Sequence, residues 1–333
     1  MVVLSILIFK NMKLLIKKLL IFLIPFVIVF GTVALVDPYD FFSSSNNKKK
    51  KDIAIGVDHG WLSYTVDYKR NHYPNVIIGS SRPHVINVNN IPEKDWGQMS
   101  LGGATIPEYL KAFWFIAEDK NLKKIIIMTD TYGYLYSLGS TTARYDSKIE
   151  LIKKPYKYFT SSLVLETTYN YLLSLFNNEN NMIPQYIFNE KRWKFELDAG
   201  KQVCLNKPES EKELNNAITS VTESFRKMKQ YCDANEIEVR MCTPAISAEL
   251  YDIYMEYAPN VYKKVMIDLV DVFGVVYDYG YPNEFTKNRD NYKDPFHLKN
   301  DDIYINSIWG VCHDYYRIIN KENIDSLILE NIE

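Results

Sequence analysis

Three short blocks, far apart in the chain, carry residue types that could together perform acyl transfer. The first is Gly79-Ser80-Ser81-Arg82, directly after the apolar run Asn75-Val76-Ile77-Ile78. A serine hydroxyl becomes a useful nucleophile when it is exposed at a strand-to-helix turn beside a base, where its own N–H can face the developing oxyanion. The second block is Ser100-Leu101-Gly102-Gly103-Ala104-Thr105. Its two glycines let the backbone approach a bound group, and a glycine N–H can donate to an oxyanion. The third is Asp294-Pro295-Phe296-His297. A histidine base must be held in one tautomer by an acceptor at its other ring nitrogen, and an Asp three residues earlier, across a Pro-containing turn, can supply that acceptor. Taken singly, each block has an ordinary reading as well: a helix cap, a strand-to-helix turn, and an Asx turn beside a chance histidine.

The elements around these blocks suit such a site. Asn75–Gly79, Lys123–Met128, Ile237–Cys242 and Val272–Tyr277 are short continuous apolar runs, the pattern of strands covered on both faces in a parallel sheet. Helical patterns lie between them. Ile106–Asp119 opens with Thr105, Pro107 and Glu108 as a capping box with Pro in the first turn. Glu211–Ala234, Ser247–Val270 (interrupted near Pro259) and Asp301–Ile319 follow. The alternation predicts an α/β fold: a three-layer, doubly wound, mainly parallel sheet whose ligands bind beyond the carboxyl ends of the strands. Residues 140–210 break the alternation and read as a helical insertion, a lid or a substrate-facing subdomain. Within it, Trp193 is the candidate platform for stacking a sugar ring. The other tryptophans read as core, and His59, His72, His84 and His313 as surface or structural residues.

The N-terminus reads as a membrane anchor. Leu19–Val36 contains no charged residue over 18 positions, close to the roughly 20 needed to span a bilayer. Lys10, Lys13, Lys17 and Lys18 precede it, and Lys48–Lys51 follow at greater distance, so proximity puts residues 1–18 on the cytoplasmic side. Met12 is an alternative start. The expected order is a cytoplasmic 1–18, a single transmembrane pass at 19–36, a linker at 37–51 and an extracytoplasmic domain at 52–333. A cleaved signal peptide is the alternative, with Thr32-Val33-Ala34 as a weak cleavage-like sequence.

Composition narrows the function classes. The 39 basic and 41 acidic side chains leave a net charge of −2, which gives no general attraction to nucleic acid. The four cysteines form no C-x-x-C pair and lie near no paired histidines, so no metal site is expected. No cofactor is expected either, because neither G-x-G-x-x-G nor a P-loop follows any predicted strand.

An early strand-end serine, a glycine turn and a D-x-x-H close to the C-terminus resemble, in that order, the SGNH (GDSL-like) hydrolase superfamily, over roughly residues 70–310 apart from the insertion. The superfamily's first block is usually Gly-Asp-Ser. Gly79-Ser80-Ser81 looks like the variant found in its membrane-anchored branch, which includes the D-alanyl transfer protein of teichoic-acid modification and the polysaccharide O-acetylation proteins. The resemblance implies an SGNH/flavodoxin-like sheet. It also implies Ser81 as nucleophile, His297 as base, Asp294 as its orienting partner, and the N–H groups of Ser81 and Gly103 as oxyanion donors. The third block should bring an Asn after the central strand. Here KKIIIM runs into Thr129-Asp130-Thr131, and a carboxylate cannot donate unless protonated. Asp130 is left to orient Arg82 or to bind a substrate amine, and Arg82 to pair with Asp130 or hold an anionic polymer. The function implied is a serine esterase or acyltransferase acting on an envelope polysaccharide or teichoic-acid-like polymer. One span cannot carry an acyl group across the bilayer, so a multispanning membrane acyltransferase is the implied partner. The alternative, motivated by the missing Asn, is a non-catalytic SGNH-fold binding or assembly protein.

Overall fold

The computed structural model describes residues 2–42, 57–138, 140–176, 189–309 and 315–329. They fall into two units, one built from Met1–Ile55 with Leu151–Asn181, the other from Gly56–Glu150 with Met182–Glu333.

In the first unit the helix Val2–Val36 contains the apolar stretch Met12–Val36, whose most apolar 18 residues have a mean hydropathy of 2.9 and most of whose side chains are exposed. It is long and apolar enough to cross a bilayer, as a signal anchor or a signal sequence would be. The chain does not become a tether at once. Asp37 and Asp40 adopt left-handed backbone (φ 43° and 54°), which turns the chain back after the helix. The Asp37 carboxylate accepts the N–H groups of Phe41 and Phe42 (both 2.8 Å) and the Tyr158 hydroxyl (3.1 Å). Phe41, Phe42, Tyr158 and Phe159 pack ring on ring, and the Tyr39 and Thr167 hydroxyls lie 3.0 Å apart. Residues 37–42 of the expected linker are therefore folded against the helices Pro155–Thr160 and Ser162–Phe176. Lys48–Lys51 lie outside the described residues.

The second unit is an α/β domain with a mostly parallel sheet of six strands flanked by helices. Its strands are β1 Asn75–Gly79, β2 Trp96–Ser100, β3 Lys124–Met128, β4 Glu238–Thr243, β5 Val275–Asp278 and, after a separate hairpin of β6 Tyr292–Asp294 and β7 His297–Leu298, the edge strand β8 Arg317–Asn320. The order across the sheet is β2-β1-β3-β4-β5-β8, with β8 alone antiparallel. Val76, Ile77, Ile78 and Ile127 are fully buried, each contributing about 1.5–3 kcal/mol of apolar burial. The chain leaves β1 toward β2 on one side and reaches β3 on the other, so the order reverses at β1. Gly79 is in register with Ser100 on β2 and Met128 on β3, which brings the three carboxyl ends level at that crevice.

Three elements differ from the sequence expectation for identifiable reasons. β2 (WGQMS) carries no apolar run, and its burial comes from Trp96, Gly97, Met99 and Ser100. β5 starts at Val275 rather than Val272 because the helix Pro259–Phe273 continues to Gly274, whose φ of 79° ends it. The expected helix Asp301–Ile319 is only Asp302–Ile308, and Arg317–Asn320 forms β8, where Arg317 pairs with buried Asp278 of β5 at 2.8 Å. The 140–210 segment is not one insertion. Leu151–Asn181 clusters with the N-terminal helix, whereas the helix Glu190–Leu205 packs on Ala248–Tyr257 inside the α/β unit.

Candidate active site

Ser81 stands two residues past β1, at the N-terminus of the short 3₁₀ turn Arg82–Val85. The bend is tight. A Cβ on Gly79 would lie 2.9 Å from the Met128 carbonyl oxygen and 3.0 Å from the Pro83 ring, so only glycine fits there. The Ser81 side chain makes no cap hydrogen bond. Its Oγ instead lies 2.7 Å from Nε2 of His297, a residue 216 positions later.

The hairpin β6–β7 presents the base. Asp294 Oδ1 is 2.7 Å from His297 Nδ1 and also accepts the Phe296 N–H at 3.0 Å. The Asx turn and the relay are thus one carboxylate serving both. An ionised carboxylate only accepts, so Nδ1 carries the proton and Nε2 is left to accept from Ser81. The hairpin is pinned from below: the Ser247 N–H donates to the Pro295 carbonyl (2.9 Å), and the Tyr292 hydroxyl to that of Ile246 (2.9 Å). Burial pushes the Asp294 carboxyl upward. The hydrogen bond and charge of His297, the Phe296 N–H and the nearby Arg192 guanidinium outweigh it and hold the group below its ordinary value. A carboxyl depressed in the folded state contributes stability that is present above its unfolded value of about 3.9 and is lost as pH falls through the folded value. Asp294→Asn is therefore expected to lower the thermal midpoint at pH 7, and the gap to wild type should close on acidification below pH about 4. A gap independent of pH in a denaturation series from pH 7 to 2 would contradict this assignment of charge.

Gly103 adopts φ 62°, a left-handed conformation that favours glycine. The neighbouring carbonyls are tied down: Gly102 accepts Trp61 Nε1 at 3.0 Å and Gly103 accepts Arg144 at 2.8 Å. The Gly103 N–H, on the same peptide as the Gly102 carbonyl, points the opposite way from it. Among the described residues neither this N–H nor that of Ser81 has a hydrogen-bond partner. Ser81, Gly103, Tyr132 and His297 line one cavity of about 150 Å³, where two such donors can meet an oxyanion.

Asp130 takes a different role from an oxyanion donor. It caps the helix Thr131–Tyr136 by accepting the Gly133 N–H (2.9 Å), and the same oxygen accepts Arg82 Nη1 (2.8 Å). Both side chains are buried, and the guanidinium also lies over the rings of Tyr132 (5.1 Å) and Phe296 (5.4 Å). Burial pushes the Arg82 pKa down, but the charge and hydrogen bond of Asp130, together with Tyr254 and Tyr132, outweigh it and the net shift is upward. Trp193 corrects an expectation. It is 1% exposed, donates from Nε1 to Glu249 (3.1 Å) and carries the Arg289 guanidinium over its ring (5.1 Å), so it has no face for a sugar. Its indole sits against Tyr292 and so buttresses the hairpin.

A second cavity of about 410 Å³ opens on the other side of the relay, with Tyr64, His84, Arg192 and Lys293 in its wall. The sequence reading sets His84 down as surface or structural and gives Tyr64, Arg192 and Lys293 no role. Two signals were available: His84 lies three residues from Ser81 on a 3₁₀ turn, where i and i+3 share a face, and Lys293 adjoins Asp294. The Tyr64 hydroxyl is 2.6 Å from His84 Nδ1. Burial, then the charges of Lys293 and His297, lower the His84 pKa and keep its imidazole neutral at pH 7. Among the described residues no group of three or more His, Cys, Asp or Glu side chains could hold a metal ion. Cys204, Cys232 and Cys242 are buried free thiols, and Cys312 and His313 lie outside the described residues. No protein-family model matches the chain, and the comparisons with curated proteins and with solved structures give no match.

Proposed function

We propose that this chain is a single-pass, membrane-anchored serine esterase or acyltransferase of the SGNH type, with its α/β domain outside the cytoplasm and an envelope polysaccharide or teichoic-acid-like polymer as substrate. The observation that carries the reading is the unbroken relay Ser81–His297–Asp294, with both contacts at 2.7 Å, at the carboxyl end of β1. In the first half-reaction His297 Nε2 takes the Ser81 proton as Oγ attacks an ester carbonyl. The Ser81 and Gly103 N–H groups receive the oxyanion. The ester C–O bond breaks, the departing alcohol takes the proton from His297, and the acyl group stays on Ser81. In the second half a hydroxyl of the acceptor, or water, gives its proton to His297 and attacks the acyl-serine. The new ester or acid leaves, and Ser81 regains its proton. A sugar hydroxyl as acceptor makes this a transferase, and the acyl donor must then be delivered by a multispanning membrane acyltransferase.

A binding or assembly role without turnover is the second reading, favoured by Asp130 standing, capped and paired, where a third oxyanion donor would be expected. The experiment that separates them treats the detergent-solubilised full chain with a fluorophosphonate probe and locates the label by mass spectrometry. Label on Ser81 that disappears in His297→Ala supports an activated serine. Folded protein that takes no label supports the binding reading.

A further inference from the structure

The larger cavity beside Ser81 holds a charge for which the acyl-transfer chemistry has no use. Lys293 lies in β6 between buried Tyr292 and Asp294, is itself half-buried, and contributes to the wall shared with Ser81 and His297. The other cations there have counter-charges: Arg82 has Asp130 at 2.8 Å, and Arg192 has Glu196 at 3.7 Å and Asp294 at 3.8 Å. No acidic side chain among the described residues reaches ion-pair distance of Lys293. The acid in that wall, Asp294, is already bonded to the His297 ring and the Phe296 N–H. Val85 and Leu298 are apolar, the Tyr64 hydroxyl is held protonated by burial, and His84 is neutral. An ammonium removed from part of its water and left without a partner is costly unless a ligand completes it. A concave wall of low polarity also concentrates its field on whatever enters.

We infer that this cavity is the subsite for an anionic oxygen group, a carboxylate or a phosphate, carried by the ester substrate within a few bonds of the scissile carbonyl, and that Lys293 selects for it by direct pairing. The inference rests on the acyl-transfer reading of Ser81 and adds the charge of the substrate to it. It makes Lys293 a specificity-determining residue. Arginine at this position would keep the charge, methionine would keep the stem and remove the charge, and glutamate would reverse the preference.

The test measures kcat/KM of the detergent-solubilised full chain on matched 4-nitrophenyl esters: the hemisuccinate, its neutral methyl ester, and an analogue with a phosphate in place of the carboxylate. At low ionic strength wild type should prefer one of the anionic esters to the neutral one by about tenfold. The preferred anion identifies the source, and the preference should shrink with added salt. The ratio should fall to about one in Lys293→Met, persist in Lys293→Arg and invert in Lys293→Glu. Equal use of neutral and anionic esters by wild type, or a preference that survives Lys293→Met, would overturn the subsite while leaving Ser81 chemistry intact. If wild type cleaves none of the esters, the acyl-transfer reading fails by itself. The subsite is then read by calorimetric titration of monomethyl succinate and phenyl phosphate. Binding that Lys293→Met abolishes upholds it, and absence of binding overturns it.

Discussion

Ser81→Ala should remove ester turnover almost entirely, by on the order of 10⁴- to 10⁶-fold in kcat, with little change in the stability of the fold. The substitution deletes one hydroxyl whose single side-chain partner is His297, and it leaves β1, Gly79 and the 3₁₀ turn as they are. His297→Ala should cost a comparable factor, and the double variant little more than either single one. Nucleophile and base act as a unit, so removing either abolishes the same covalent route. The folded state responds differently to the two. His297 is a residue of β7 and the partner of buried Asp294, so its loss leaves that carboxylate with the Phe296 N–H alone on Oδ1 and should lower the melting temperature. Kinetics on a neutral 4-nitrophenyl ester, with melting curves of the same preparations, check both statements. Turnover that persists in Ser81→Ala would remove this serine from the chemistry and overturn the Ser81–His297–Asp294 mechanism.

The fold was legible where burial imposes a pattern. β1, β3 and β4 lie centrally, and their runs of Ile, Val and Met announce them directly. β2 escaped because WGQMS has no apolar run, and β8 because it is a short edge strand whose partner lies forty-odd residues earlier in sequence. The site was legible to the extent that its geometry is local. Asp294 and His297 are joined by one turn, and Gly79 and Ser81 by another. The contact between the two turns spans 216 positions and could be anticipated only from the order of the blocks. Trp193 shows the opposite error, since a tryptophan in a polar segment looks exposed until the helix Glu190–Leu205 is seen packed into the core. Lys293 was invisible for a related reason: an isolated lysine acquires meaning only when every carboxylate around it is already paired.

Breaking the Arg82–Asp130 pair should cost more stability than any other single change at the site, about 3–5 kcal/mol for Arg82→Met. Both groups are buried, at 7% and 6% exposure, so the carboxylate left behind has no water to replace the guanidinium. It would keep only the Gly133 N–H, and its Oδ2 already lacks a partner among the described residues. Asp130→Asn separates two views of this position. If the position served as the third oxyanion donor, an amide there would raise turnover. The structure argues otherwise: Asp130 lies in the wall of neither cavity at Ser81, and its bonded oxygen faces Arg82 and the helix cap. Asn should therefore destabilise the fold by stranding the Arg82 charge and leave ester turnover no higher than wild type. Denaturant titrations of both single variants and the double variant would give the coupling energy. A strong coupling means the pair locks the turn that carries Ser81 to the end of β3. A negligible one, with Arg82→Met as stable as wild type, would mean the guanidinium is available to substrate instead.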